Sequence, residues 1–246
     1  MRINNIVDIH AHILPGVDDG AKNITESLQI LEDLKAQGVG CVYATPHFYM
    51  GQHVFSEYSK KADAAYAQLA EAAAGMPVPE IRRGYEVRIF QGISSSDEVR
   101  QMQLAGTNYL LVELPYQSAV ENWMIHELYN LPFTLNLQPV IAHIERYFGV
   151  YGFERLMQLV TDGDVYTQIT SSAVLGSVTL RRKLCAMLRS GQIHFIASDA
   201  HSPDTRRGMF IKANEKLAKK CGTAALLELY NRSANMMHWS AAEQEA

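Results

Sequence analysis

Seven short runs rich in β-branched and aromatic residues recur along the chain, and helix-forming segments separate most of them. The runs are IVDIH (6–10), CVYATP (41–46), EIRRGYEV (80–87), NYLLVEL (108–114), QPVIAH (138–143), VYTQIT (165–170) and HFIASD (194–199). Between them lie TESLQILEDLKAQG, with Thr25 as the expected cap and Gly38 as the stop, FSEYSKKADAAYAQLAEAAAG, ENWMIHELYNL, YGFERLMQLVTDG and SVTLRRKLCAMLRSG. Such alternation calls for parallel strands joined by helical crossovers, and its spacing suits a closed α/β barrel. Residues 88–107 are the weak spot, a short polar stretch where a crossover helix is expected. No low-complexity linker, repeat or shift in composition marks a second unit, so one domain over 1–246 is expected.

A barrel of this kind gathers its chemistry at the carboxyl ends of its strands. The first run ends in His10 and His12, which share one face of a strand and aim two imidazoles at one point. A Gly-flanked pair of aspartates, Asp18 and Asp19, follows closely. The second run delivers His47, the third Glu86, the fourth Glu113, the fifth His143 and Arg146, and the seventh Asp199 and His201. Only the sixth, ending in Ser171 and Ser172, lacks an obvious ligand type. Five of the nine histidines therefore stand at strand ends, whereas a random scatter would leave most elsewhere. His53, His126, His194 and His238 fall in a loop, a helix, the opposite strand end and the tail, where a structural role is expected.

Imidazoles and carboxylates without a thiolate suit Mn²⁺, Fe or Zn²⁺, and there are enough of them, with one aspartate of the DDG, for two or three ions. Ions a few ångströms apart can activate a water as hydroxide and clamp phosphoryl oxygens. Arginine completes a phosphate site with its planar fork, and Arg146, Arg206 and Arg207 lie beside the ligand candidates. Other chemistries lack their signatures. There is no GxxxxGK[ST] or GxSxG, the glycines of GVGCVY (38–43) enter a strand instead of leaving one, and no cysteine precedes an arginine at thiol-phosphatase spacing.

The net charge of −4 disfavours nucleic acid as a partner. The longest apolar run, around YLLVELPY, is far short of a membrane span. Cys41, Cys185 and Cys221 show no paired spacing, and MRINNIVDIH lacks the apolar core of a secretory signal. A reducing cytoplasm is the expected compartment.

DIHAHILPGVDDGAKN, ATPHFYMG, GYEVRI, VELP, AHIERY and SDAHSPDTRRG resemble, in order and spacing, the polymerase and histidinol phosphatase (PHP) superfamily. More narrowly, LPGVDDGAK and GYEVRI resemble its bacterial tyrosine-protein phosphatase branch, associated with capsular and exopolysaccharide synthesis. The resemblance spans nearly the whole chain. It implies a distorted seven-stranded, TIM-like (β/α)7 barrel, a centre of three manganese ions, and hydrolysis of phosphotyrosine on the tail of a cognate tyrosine kinase. Carried onto these residues, it implies one ion held by His10, His12, Glu86 and Asp199, a second by Glu86, Glu113 and His143, and a third by Asp19, His47 and His201. Asp18 is then left to turn formation, and Arg146 and Arg206 match the phosphate-binding arginines. Phe48 stands where relatives commonly carry a second histidine, and Ile144 where a proline is common, neither at a ligand position. A small-molecule phosphatase acting on a substrate like histidinol phosphate and a catalytically silent phosphotyrosine-docking module are the competing readings.

Overall fold

The computed structural model describes residues 2–116 and 120–238. Among these residues nine strands, all paired in parallel, form a curled sheet in two sections. β1 (Ile6–Ala11), β2 (Val39–Ala44) and β4 (Glu80–Arg83) make one section, in the order β1-β2-β4. β3 (His47–Phe48), β5 (Glu86–Arg88), β6 (Tyr109–Glu113), β7 (Gln138–Ile141), β8 (Tyr166–Thr170) and β9 (Phe195–Ala197) follow one another across the other. The count exceeds seven because Gly84 and Tyr85 break the third expected run into β4 and β5, and β3 forms just past the second, beyond Thr45 and Pro46. Glu86 therefore opens a short strand of its own. Beyond the sections, Asp199 N–H donates to His10 O at 2.9 Å and His12 N–H to Ala200 O at 2.8 Å, drawing β1 against the chain that leaves β9.

Both faces of the sheet are covered, which is why strands such as IVDIHA and VGCVYA are buried at every position. Crossover helices α1 (Ile24–Ala36), α2 (Phe55–Ala73), α3 (Asn122–Leu135), α4 (Phe153–Asp162) and α5 (Val178–Arg189) lie at or near the expected places. α2 buries Phe55, Tyr58, Ala62, Ala65, Leu69 and Ala73, a stripe at helical spacing. The α1 cap is Asn23 and not Thr25: the Asn23 side chain accepts from Glu26 N–H at 3.0 Å, which starts the helix two residues early. α3 continues through Pro132 to Leu135 and stops at Asn136, whose left-handed φ of 57° ends it. Residues 88–107 hold only two short 3-10 turns, Ile93–Ser95 and Asp97–Met102. Two further helices, α6 (Phe210–Cys221) and α7 (Thr223–Met236), close the described chain.

A smaller core of Val7, Ile9, Cys41, Tyr43, Leu104, Leu111, Val140, Ala142, Phe195, Ala197 and Met237 is drawn from successive strands and the end of α7. Leu111 and Ala197 in this core stand two residues before Glu113 and Asp199. The expectation of unpaired cysteines is corrected: Cys185 and Cys221 form a disulfide, because α5 and α6 pack side by side and bring their Cα atoms to 5.6 Å. Cys41 remains a free, buried thiol. No helix among the described residues is long and apolar enough to cross a membrane.

Candidate metal centre

His10 and His12 end β1 fully buried, and each is fixed through its Nδ1. His10 Nδ1 donates to Gln168 Oε1 at 3.1 Å, and His12 Nδ1 donates to Asp18 Oδ2 at 2.6 Å. With both Nδ1 protons committed, the neutral rings turn lone pairs on Nε2 toward each other at 3.1 Å. Glu86 Oε2 lies 3.3 Å from each of these nitrogens. Two lone pairs and a carboxylate oxygen at such range repel unless a positive charge joins them, and a metal cation meets that demand.

The remaining candidates converge on the same place. His143 Nε2 is 2.8 Å from Glu86 Oε1, and Asp199 Oδ1 is 3.4 and 3.6 Å from Nε2 of His10 and His12. Asp19 Oδ1 stands 3.4 Å from Nε2 of both His47 and His201. Three groupings have ligand atoms close enough to share an ion: His10, His12 and Glu86; His47, Glu86 and Glu113; and His12, Asp19, His47 and His201. Relative to the sets implied by resemblance, His12 reaches into the group around Asp19, and His47 takes the place beside Glu86 and Glu113 that was expected of His143. Glu86 belongs to two groupings and is at the middle of the cluster.

The cluster fits cations on a second ground. Glu86 Oε2, Glu113 Oε2, His47 Nδ1, His143 Nδ1 and His201 Nε2 are buried without an aligned hydrogen-bond partner, even though His47 Nδ1 approaches Glu86 Oε2 to 2.8 Å. Each such orphan costs about 1–3 kcal/mol if it stays unpaired. Protonation shows the same demand for positive charge. Burial disfavours charge on His10, but Glu86 and Asp199 raise its pKa above the ordinary imidazole value. Asp18 and Glu86 do the same for His12, more strongly. Burial would raise the Glu86 carboxyl, yet the charge of His10 and the hydrogen bonds of its histidine neighbours hold it well below the usual range. Glu113 moves the other way, pushed up by burial and by Glu86 beside it.

The backbone is bent to serve these side chains. His143 and Asp199 adopt left-handed φ values of 34° and 52°, a conformation that costs a residue other than glycine on the order of 1–3 kcal/mol. Gly20 packs so closely on β1 that a Cβ there would fall 2.1 Å from His12 O.

Arg146 and Arg206 flank the cluster. The Arg146 guanidinium donates through Nη2 to Asp199 Oδ2. Arg206 Nη1 reaches Asp19 Oδ2 at 3.1 Å, with its Nη2 3.7 Å from Asp199 Oδ2. Both line a cavity of about 330 Å³ together with Ser172, Ser198, Asp199 and Thr205. Arg207 shares that cavity, but its guanidinium pairs with Asp33 on α1.

Two residues beyond the expected set support the cluster. Asp18 does more than shape the turn: Oδ1 accepts from Gly20 N–H, while Oδ2 accepts from His12 Nδ1 and from His47 N–H at 3.0 Å. Gln168 fills the strand that lacked a ligand type, its Oε1 accepting from His10 Nδ1 and from His143 N–H at 2.7 Å. Asp18 could be found from the DDG signal but not distinguished from its neighbour; Gln168, a neutral amide inside a strand, gives no signal at all. The four histidines assigned to structure lie outside all three groupings. His194, for example, accepts from Thr167 N–H at 3.1 Å.

Residues 6–238 match the family described as capsular polysaccharide synthesis, CpsB/CapC. A putative tyrosine-protein phosphatase CapC of Staphylococcus aureus is 32% identical over 213 residues, covering 82% of this chain and 79% of that protein. The tyrosine-protein phosphatase YwqE of Bacillus subtilis is 30% identical over 222 residues, covering 89% and 86%. Among solved structures, a chain from the crystal structures of YwqE from Bacillus subtilis and CpsB from Streptococcus pneumoniae, described as unique metal-dependent tyrosine phosphatases, superposes with a TM-score of 0.80. It is 28% identical and the match covers 95% of this chain and 94% of that one.

Proposed function

The chain belongs to the CpsB/CapC family of capsular polysaccharide synthesis, and from that premise we propose that it is a metal-dependent protein-tyrosine phosphatase. Its substrate in this reading is the phosphorylated tail of a cognate bacterial tyrosine kinase, met in the cytoplasm. The seven expected strands then act as one distorted TIM-like (β/α)7 barrel in a single domain of residues 1–246. The observation that carries the proposal is the pair of His10 and His12 Nε2 lone pairs facing Glu86 at the edge of an arginine-lined cavity.

His10, His12, Asp19, His47, Glu86, Glu113, His143, Asp199 and His201 would hold the ions, three of manganese in the fullest reading, with iron or zinc compatible with the same donors. Bound there, the ions supply a water of lowered pKa and neutralise charge on the phosphoryl oxygens. Glu86 holds two ligand groups in register, and Asp18 and Gln168 fix the ring orientations of His12 and His10. Arg146 and Arg206, held at the edge of the cavity by Asp199 and Asp19, donate from there to the non-bridging phosphoryl oxygens. Donors held in place beforehand favour the transition state, in which charge spreads over those oxygens, above the ground state.

Turnover of a phosphotyrosyl kinase-tail peptide, measured against a panel of small phosphate esters that includes histidinol phosphate, tests this function. Higher kcat/KM on the peptide is the expected result. Preference for a small ester would transfer the site to the small-molecule reading, and binding of the peptide without turnover of any ester would leave a docking module.

A further inference from the structure

A groove of about 290 Å³ runs between α5 and α6, lined by Val178, Arg181, Arg182, Cys185, Arg189 and Lys220. Four of these six residues are cationic and none is a carboxylate. The helices around it share the bias. α5 carries Arg181, Arg182, Lys183 and Arg189 with no acidic residue, and α6 carries four lysines against the single Glu215, in a chain whose net charge is −4. Such concentration on two adjacent helices sets up a local positive field that the overall charge conceals.

The two helices that carry the groove's lining both leave from the rim of the candidate centre. β8 leads through Ser172, a cavity-lining residue, to α5; β9 leads through Asp199, Arg206 and Met209, also lining it, to α6. Met209 N–H donates to Ser171 Oγ at 3.0 Å where the two paths begin, and Arg189 Nη2 donates to Lys220 O at 2.9 Å where the helices end. The helices thus run side by side in one direction, away from the arginine pair, with the Cys185–Cys221 disulfide between them. Twelve helical residues span roughly 18 Å, the reach of about five residues of extended chain.

We propose that this groove docks an acidic, extended segment of the phosphoprotein substrate, so that a phosphotyrosine within about five residues of that segment enters the cavity at Arg146 and Arg206. The proposal rests on the phosphatase reading above. Five of the six lining residues follow one another along α5 and Lys220 joins them from α6, so the cationic groups form a recessed strip that suits a single chain, whereas a bilayer presents its charge in a plane.

The test compares kcat/KM for p-nitrophenyl phosphate, a short neutral phosphotyrosyl peptide and the same peptide extended by four glutamates, on the wild type and on the Arg182→Glu/Lys220→Glu double variant. Both substituted residues are exposed and lie outside the centre. The expected result is a preference of roughly tenfold for the acidic peptide, weakened by salt and lost in the variant, with p-nitrophenyl phosphate turnover unchanged. An equal preference in both proteins, or none in the wild type, overturns the docking site. Charge-dependent binding to phosphatidylglycerol vesicles, lost in the variant without any peptide effect, also overturns it in favour of a lipid surface. If neither peptide is hydrolysed while p-nitrophenyl phosphate is, the phosphotyrosine reading fails and the docking proposal fails with it.

Discussion

Asp18 gives the His12 ring its direction, since the 2.6 Å bond to Nδ1 fixes both the tautomer and the ring plane. Asp18→Asn replaces that charge with an amide that can no longer accept from all its present donors, and metal affinity is expected to fall about 10- to 100-fold. Equilibrium dialysis against Mn²⁺ measures this, and unchanged affinity would reduce Asp18 to a turn former. Arg146 acts on the other side of the site. Arg146→Ala is expected to lower kcat on order 100- to 1,000-fold with the metal content intact, and Arg146→Lys is also impaired because a single ammonium lacks the fork. Steady-state kinetics on a phosphotyrosyl peptide with metal analysis checks both variants; near-normal kcat in the alanine variant would make Arg146 a solvated charge. The histidines of the cluster were legible because strand periodicity and strand-end position both select them. Asp18 and Asp19 are adjacent and chemically alike, so spacing could not say which side chain turns inward under His12 and which stands 58% exposed between His47 and Arg206. Gln168 was illegible because its role comes from two hydrogen bonds that only the folded strand brings together.

The element that places His10 and His12 is β1 with the Gly-rich turn folded back on it. Ala21 N–H donates to His12 O at 3.0 Å, and Gly20 lies flat against that same carbonyl. Gly20→Ala puts a methyl group into backbone, which cannot rotate away as a flexible side chain would. Both metal binding and thermal stability are therefore expected to drop, with Tm lower by several degrees. A differential scanning measurement with and without Mn²⁺ decides this, and a wild-type Tm together with a wild-type metal response would show that the turn relaxes freely. Strands and crossover helices up to α5 could be read from the sequence because hydrophobic period and stop residues coincide there. The break at Gly84–Tyr85 and the separate β3 beyond Thr45–Pro46 were less visible, because what divides the chain there is tertiary pairing, β2 with β4 in one section and β3 with β5 in the other. The α5–α6 contact that joins Cys185 to Cys221, 36 positions apart, is likewise a product of packing that no local spacing encodes.

At the scale of the whole molecule, the chain gathers imidazoles and carboxylates that could hold metal ions and leaves no thiol poised as a nucleophile. Burial pushes the Cys41 thiol up to about 12, and Cys185 and Cys221 are bonded to each other. What the fold does assemble, from seven separated segments, is one cluster of imidazoles and carboxylates, buried except toward Asp19 and His47, with two guanidinium groups at its edge. The most direct test of that account is phosphotyrosyl-peptide turnover followed alongside bound metal per chain, during exhaustive chelation and then stepwise return of Mn²⁺. Activity is expected to vanish with the metal and to return in proportion to ions rebound, with more than one ion per active chain. Full turnover by a protein stripped of metal would contradict the account at its centre.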